Sequence, residues 1–307
     1  MTTGRKFTPD VVQEGVSSLV EMLGPTYLRI RDQDQRGQTA RPPNPERHLL
    51  AVIVENAQRF ADEFSRGMAR PLGLGELLAL EAILGVLGRA RSDPFFKELV
   101  PQLETDEGFR HHMVMLGMWD HVSRRATDKR IRLQSTRTPG RQVDLVLGDE
   151  INPKFHIEVK APKEFEGSQS KITRTEATTA IERGWKHTFH RAGPQVPPDR
   201  PSLLLIGGLT LRLESLAVVQ SAARNWLSRH GQSRPNLWGI AALTYFSHIT
   251  LPPGRRLDDG APIEVKGRGG VHLAFAASPH YVGAPGIQVL PGYFEDEGPE
   301  TGRMSLY

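Results

Sequence analysis

The chain has no cysteine and no apolar segment long enough to cross a membrane. Without cysteine there can be no disulfide, no thiolate zinc site and no cysteine nucleophile, so any metal must be bound by histidines or carboxylates. The longest apolar run, Ser202–Leu211, is well short of the roughly 20 residues that a membrane-spanning helix requires. The first residues, Met1–Phe7, lack the basic and then apolar pattern of a secretory signal. Together these absences predict a cytoplasmic protein that does not contact a membrane.

Three signatures of common enzyme classes are missing as well. The sequence has no Gly-Lys-Ser or Gly-Lys-Thr phosphate loop and no Gly-x-Ser-x-Gly nucleophile turn. Gly73-Leu74-Gly75 precedes a predicted helix, but it lacks the third glycine and the preceding strand of a dinucleotide site. These absences argue against a P-loop nucleotide hydrolase, a dinucleotide-dependent enzyme and a serine hydrolase of the α/β type.

The composition is that of an ordinary globular protein, but the positive charge is concentrated in the middle of the chain. Of the 307 residues, 38% are hydrophobic and 24% charged, which fits one large domain or two smaller ones. The net charge is +4, and residues 110–200 alone hold 17 Lys or Arg against 11 Asp or Glu. A basic excess favours a polyanionic partner such as nucleic acid. A solvated surface of mixed charge accounts for the same counts.

The first third of the sequence has the spacing of α-helices. A helix is predicted to begin at Thr8, and apolar residues recur at helical intervals over His48–Phe64 and Leu74–Leu87. The polar stretch Arg31–Glu46, rich in Gln, Arg and Pro, is predicted to be an exposed or mobile loop. We therefore expect residues 1–104 to form a helical region that recognises nucleic acid, senses a signal, or docks a partner subunit or a second copy of the chain.

From about residue 105 the pattern changes to that of an α/β domain. Alternating apolar residues and turn signals predict the order helix, three strands, helix and strand, followed by additions toward residue 307. The predicted helices are Glu107–Arg125, Ile172–Arg191 and Leu213–Arg229, and the predicted strands are Arg130–Ser135, Gln142–Leu147, Lys154–Lys160, Ser202–Ile206, Trp238–Phe246 and Val271–Ala276. The region 105–307 is thus expected to be a second domain with C-terminal strand additions.

Two neighbouring predicted strands carry the residues that suggest chemistry. Side chains alternate along a strand, so His156, Glu158 and Lys160 share one face, expected to be a surface, while the apolar residues between them face a core. Asp144 lies between apolar residues of the preceding strand, so pairing of the two strands brings its carboxylate toward Glu158. Two converging carboxylates repel each other unless a cation lies between them, and such hard oxygen ligands select Mg²⁺ or Mn²⁺. A nearby Lys160 can position water or offset negative charge.

This arrangement resembles the PD-(D/E)XK nuclease superfamily, in which an acid on one strand precedes Glu-x-Lys on the next, between two helices. The matching residues are Val143-Asp144 and Glu158-Val159-Lys160, with Val143 in place of the proline of the family name. The resemblance covers about residues 107–207 and implies a restriction-endonuclease-like αβββαβ core with a mixed central sheet. By position it implies that Asp144, Glu158 and the backbone carbonyl of Val159 bind Mg²⁺ or Mn²⁺, and that Lys160 is the catalytic lysine.

The resemblance implies further residues with less support from the sequence. The superfamily often has a glutamate on the helix before the first core strand, and Glu107 is the candidate, with Glu104 as the alternative. The helix after the Glu-x-Lys strand is implied to lie near the active site, so Gln169, Lys171 and Arg174 are expected to contact phosphates.

The activity implied by the resemblance is metal-dependent hydrolysis of phosphodiester bonds, with DNA favoured over RNA as the substrate. Its setting would be antiviral defence, restriction, repair or mobile-element biology. One alternative is a catalytically inactive subunit of the same fold that binds nucleic acid or assembles a larger complex. Another is a plain protein-interaction scaffold.

The tripeptide Glu-Val-Lys is weak evidence by itself, because the chain has a second copy at Glu264–Lys266. That copy lacks room upstream for a paired strand and is followed by Gly-Arg-Gly-Gly instead of a helix. The prediction therefore depends on the position of Asp144 and on the order of the surrounding strands and helices.

Overall fold

The computed structural model describes residues 9–39, 47–66, 74–125, 131–133, 144–148, 153–166, 172–190, 196, 201–211, 213–245 and 271–282. The chain divides into two compact units, and the division falls between His112 and Met113. The first unit includes the described residues up to His112, and the second those of Met113–Thr244 and from Val271 onward. None of the described helices combines the length and the apolar character needed to cross a membrane.

The first unit is helical, as predicted. Its helices are α1 (Pro9–Leu23), α2 (Pro25–Thr39), α3 (Leu49–Ser65), α4 (Leu74–Ala90), α5 (Phe96–Leu99) and the first turns of α6 (Asp106–Arg125). Gly24 ends α1 in a left-handed conformation with φ of 54°, and Pro25 begins α2 directly afterwards. Helix α4 is apolar on most of its sides and packs against α1 and α3. Gly15 allows the close approach, because a Cβ there would lie 3.0 Å from Leu84 Cδ1.

The prediction of a loop over Arg31–Glu46 is wrong for its first part, because α2 continues to Thr39. This polar helix is stabilised by tertiary contacts of its charged side chains. The carboxylate of Asp34 accepts hydrogen bonds from Arg47 Nε at 3.1 Å and from Nη2 at 2.6 Å. Burial acts to raise the pKa of Asp34, but the bonds from Arg47 and Gln38 outweigh it and hold that pKa below its usual value. Residues 40–46 lie outside the described residues.

The second unit is built on one mixed sheet of six described strands in the order β1-β2-β3-β4-β5-β6. The first three strands are antiparallel, β4 and β5 run parallel to β3, and β6 is antiparallel to β5. The strands are β1 (Ile131–Leu133), β2 (Leu145–Gly148), β3 (Pro153–Lys160), β4 (Ser202–Gly208), β5 (Leu237–Thr244) and β6 (His272–Ala277), and the helices between them are α7 (Arg174–Trp185) and α8 (Leu213–His230).

These elements confirm the predicted α/β class, the helical N-terminal region and the mixed sheet. The predicted order of helix, three strands, helix and strand is also confirmed, as α6, β1, β2, β3, α7 and β4. The strands β5 and β6 are the predicted C-terminal additions. Helix α7 is shorter than predicted, because its last residues, Lys186–His190, form a π-helical turn.

Both faces of the sheet are covered by helices. On one face, α7 and α8 pack over Leu204, Ile206 and Ile240 in a single apolar cluster. On the other face, α6 approaches so closely that a Cβ at Gly207 would lie 2.7 Å from Val114 Cγ1. Every residue of β4 and β5 is buried, which explains the continuous apolar runs of these two strands.

Candidate active site

The pairing of β2 with β3 determines where Asp144 lies. Leu145 pairs with Ile157 in this antiparallel ladder, and Asp144 directly precedes β2, so the same register sets Asp144 opposite Glu158. The Oδ2 atom of Asp144 accepts a hydrogen bond of 2.8 Å from the backbone N–H of Val159. The carboxylate is therefore fixed against β3, beside the residue that separates Glu158 from Lys160.

Glu158 and Lys160 form an ion pair at the end of β3. Lys160 Nζ lies 2.5 Å from Glu158 Oε1, and the exposed fraction of the side chain is 23% for Lys160 and 1% for Glu158. The expectation that this face of the strand is a surface is wrong, because Gly184 of α7 lies over Lys160 and His156 is buried on the same face. The pair is thus largely shielded from water, which strengthens the attraction between its charges.

Helix α7 lies directly over the aliphatic part of Lys160. A Cβ at Gly184 would lie 3.4 Å from Lys160 Cγ, 3.6 Å from Leu204 Cδ2 and 3.7 Å from Ile206 Cδ1. The lysine stem therefore runs between helix and sheet, beneath Gly184.

The segment after Lys160 is fixed to the end of β4 by Glu166. The carboxylate of Glu166 accepts hydrogen bonds from the backbone N–H groups of Leu209 at 3.0 Å and Thr210 at 3.2 Å, and from the Thr210 hydroxyl at 3.1 Å. A Cβ at Gly208 would lie 2.7 Å from the carbonyl oxygen of Phe165, so only glycine permits this approach. Nothing in the local sequence distinguishes Glu166 from a solvated acid, so only the structure reveals its role.

The start of α7 carries the one predicted phosphate-contacting residue that the structure describes. Thr173 and Glu176 form a capping box, in which the Thr173 hydroxyl accepts from Glu176 N at 3.2 Å and the Glu176 carboxylate accepts from Thr173 N at 2.8 Å. The backbone bond from Thr173 lowers the pKa of Glu176. Arg174 is exposed in this first turn. Gln169 and Lys171 lie outside the described residues.

The upstream glutamate of the site stays a prediction. Glu107 is exposed in the first turn of α6, and Glu104 accepts hydrogen bonds from Arg29 Nε at 2.7 Å and Gln33 Nε2 at 3.2 Å. Both residues belong to the helical unit. Within the part of the chain that the structure describes, no three His, Asp or Glu side chains are grouped so that they could hold a metal ion.

The chemistry of the two carboxylates nevertheless fits a divalent cation. Asp144 and Glu158 provide hard oxygen ligands from adjacent strands, which suit Mg²⁺ and Mn²⁺. Val159 gives its N–H to Asp144, while the binding of metal by its carbonyl stays a prediction. The second Glu-Val-Lys copy, Glu264–Lys266, lies outside the described residues.

Comparison with known proteins reveals no relative of this chain. No family model, curated protein or solved structure matches it.

Proposed function

We propose that this protein is a metal-dependent nuclease of the PD-(D/E)XK type, which hydrolyses phosphodiester bonds with Mg²⁺ or Mn²⁺. The observation that carries the proposal is the register of β2 and β3, which brings Asp144 opposite Glu158 beside Lys160. The strand directions add support: three antiparallel strands between α6 and α7, followed after α7 by a fourth strand parallel to the third, agree with the core that the resemblance implies.

Each residue of the site has a distinct role in this proposal. Asp144 and Glu158 would hold the cation, which supplies Lewis-acid polarisation of the phosphate and a more acidic water. Asp144 is oriented for this by the Val159 N–H, which donates to its Oδ2 atom. Lys160 would place its ammonium beside the phosphate, where it stabilises the negative charge of the transition state.

A cleavage assay on the purified full chain tests the proposal. Linear, circular and single-stranded DNA and RNA are incubated with Mg²⁺, with Mn²⁺ or with a chelator. We expect metal-dependent cleavage, with DNA preferred, and a loss of about 100-fold or more in Glu158→Gln and Lys160→Met. Glu182→Gln is the matched control, because Glu182 is an exposed acid on α7. Cleavage that is equal in the wild type and in both site variants would refute the assignment.

A second candidate is a catalytically inactive subunit of the same fold that binds nucleic acid. It is favoured by the near-complete burial of Glu158 and by the absence of a third ligand among the residues that the structure describes. This candidate predicts salt-sensitive binding of DNA that needs no divalent metal and survives Asp144→Ala. In that case no metal would produce cleavage of any of the substrates above.

A further inference from the structure

The ion pair of Lys160 with Glu158 involves the same carboxylate that the proposed metal would use. The ammonium is 2.5 Å from Glu158 Oε1, and only 1% of the Glu158 side chain is exposed. A carboxylate so deeply buried is costly without a compensating charge nearby. In the metal-free protein, Lys160 supplies that charge.

We propose that Lys160 is a built-in competitor of the metal ion, which neutralises Glu158 until a divalent cation replaces it there. This inference rests on the proposed function and assigns a regulatory property to the same site. Metal binding would then weaken the ion pair between Glu158 and Lys160, so that the ammonium can interact with a phosphate group.

The position of Lys160 beside Glu158 makes the competition direct. Its stem runs beneath Gly184, and only 23% of its side chain is exposed. A divalent ion bound at Glu158 and an ammonium held within a few ångströms of it repel each other. Because the site is shielded from water, this repulsion is only weakly screened.

The inference concerns the carboxylate of Glu158, whose Oε1 atom lies 2.5 Å from the ammonium of Lys160. The competition should therefore depend on the charge of Glu158. In a Glu158→Gln background, removal of the Lys160 charge should change the metal affinity much less than in the wild type.

Binding of Mn²⁺ to the full chain without nucleic acid tests the inference directly. The dissociation constant is measured by electron paramagnetic resonance of free Mn²⁺, with calorimetry as a second method. Lys160→Met should bind Mn²⁺ at least about tenfold more tightly than the wild type. The unbranched methionine can follow the path of the lysine stem under Gly184. The control Lys186→Met removes an exposed charge of the same unit and should alter the constant by about twofold at most.

A second variant covers the case in which Lys160→Met does not fold. Lys160→Gln also removes the charge, but its amide can still donate a hydrogen bond to Glu158. It should likewise bind Mn²⁺ more tightly than the wild type. Its melting temperature should be lower than that of the wild type without metal, and the rise on adding Mn²⁺ should be larger.

The outcomes separate this inference from the proposed function. If the wild type cleaves DNA with Mn²⁺ but the neutral variants at Lys160 bind the ion no more tightly than Lys186→Met, the competition is refuted and the nuclease assignment stands. If neither the wild type nor any variant binds Mn²⁺, both are refuted. Tighter binding in both neutral variants, together with lost cleavage, supports both.

Discussion

Glu166 offers a sharp test of how the candidate site is held in place, because a second acid two residues earlier serves as its control. The Glu166 carboxylate accepts three hydrogen bonds, at 3.0, 3.2 and 3.1 Å, from Leu209 and Thr210 at the end of β4. Glu164 instead forms an ion pair with Arg183 in which both side chains are about half exposed. Both acids belong to the short segment that follows Lys160.

The two substitutions should differ clearly in their effect on the free energy of unfolding. Glu166→Ala removes three hydrogen bonds to a charged acceptor and leaves the backbone N–H groups of Leu209 and Thr210 without that acceptor. We expect this to lower the free energy of unfolding by about 2–4 kcal/mol. Glu164→Ala removes an exposed ion pair and should cost about 0–1 kcal/mol. Glu166→Gln keeps one acceptor oxygen without the charge and should fall between the two.

Tryptophan fluorescence during urea unfolding is the suitable assay. All four tryptophans lie in the second unit, so their emission reports on the part of the chain that holds Glu166. They are Trp119, Trp185, Trp226 and Trp238. If Glu164→Ala and Glu166→Ala shift the unfolding midpoint equally, the role assigned to Glu166 is wrong. Cleavage is also compared in the absence of urea. If Glu166→Ala loses metal-dependent cleavage while Glu164→Ala keeps it, the segment that Glu166 anchors contributes to the position of Lys160.

Two further predictions concern pH and close packing. The Nδ1 atom of His48 accepts a hydrogen bond from the Leu50 N–H at 3.2 Å and its Nε2 atom lies 3.1 Å from the Leu103 carbonyl oxygen, so the ring is neutral. Burial lowers the pKa of His48 from 6.5, although the hydrogen bond with Leu103 acts to raise it. As the pH falls, the unfolded chain therefore binds a proton at His48 before the folded protein does, so the contribution of His48 to stability is fully present above about pH 6.5 and decreases as the pH falls below that value. Between pH 7.5 and 5.5, the melting temperature of His48→Gln should therefore decrease less than that of the wild type. Equal decreases in the two proteins would contradict this. Gly208→Ala should destabilise the protein by about 1–3 kcal/mol, because its Cβ would meet the Phe165 backbone, whereas Gly88→Ala, with open space around it, should be neutral or stabilising in thermal unfolding.

The parts of the fold that sequence patterns predicted are those whose stability comes from apolar periodicity. Helices α1, α3 and α4 and the strands β3 to β6 have such patterns and lie close to their predicted bounds, whereas the described parts of β1 and β2 are shorter than the predicted strands. Helix α2 has no apolar stripe beyond its first turns, and its stability depends on partners such as Arg47 for Asp34. A pattern within one segment does not reveal partners from another, so the polar part of α2 was mistaken for a loop.

At the candidate site, sequence patterns predict which side chains are neighbours but not how they are buried. Alternation along β3 identifies Glu158 and Lys160 as neighbours on one face, and the structure brings them together. The stem of Lys160 lies beneath Gly184, on a helix more than twenty residues later in the sequence, and a pattern within β3 cannot signal this cover. Glu166 was missed because its partners are backbone N–H groups, which every residue except proline carries and which no side-chain pattern can signal.

The charges that would perform the chemistry also contribute to the stability of the fold, and this affects how any variant of the site must be interpreted. Removing only Lys160 leaves Glu158 as a buried carboxylate without its cation, a loss that costs about 3–5 kcal/mol in fully buried pairs and less here, since 23% of the lysine side chain is exposed. Lost cleavage in Lys160→Met alone therefore has two explanations, a missing catalytic group and a weakened fold. In Glu158→Gln combined with Lys160→Met, neither charge is left unpaired, so the stability should return toward that of the wild type while the chemistry stays absent. Only that comparison separates the catalytic contribution of the pair from its structural one.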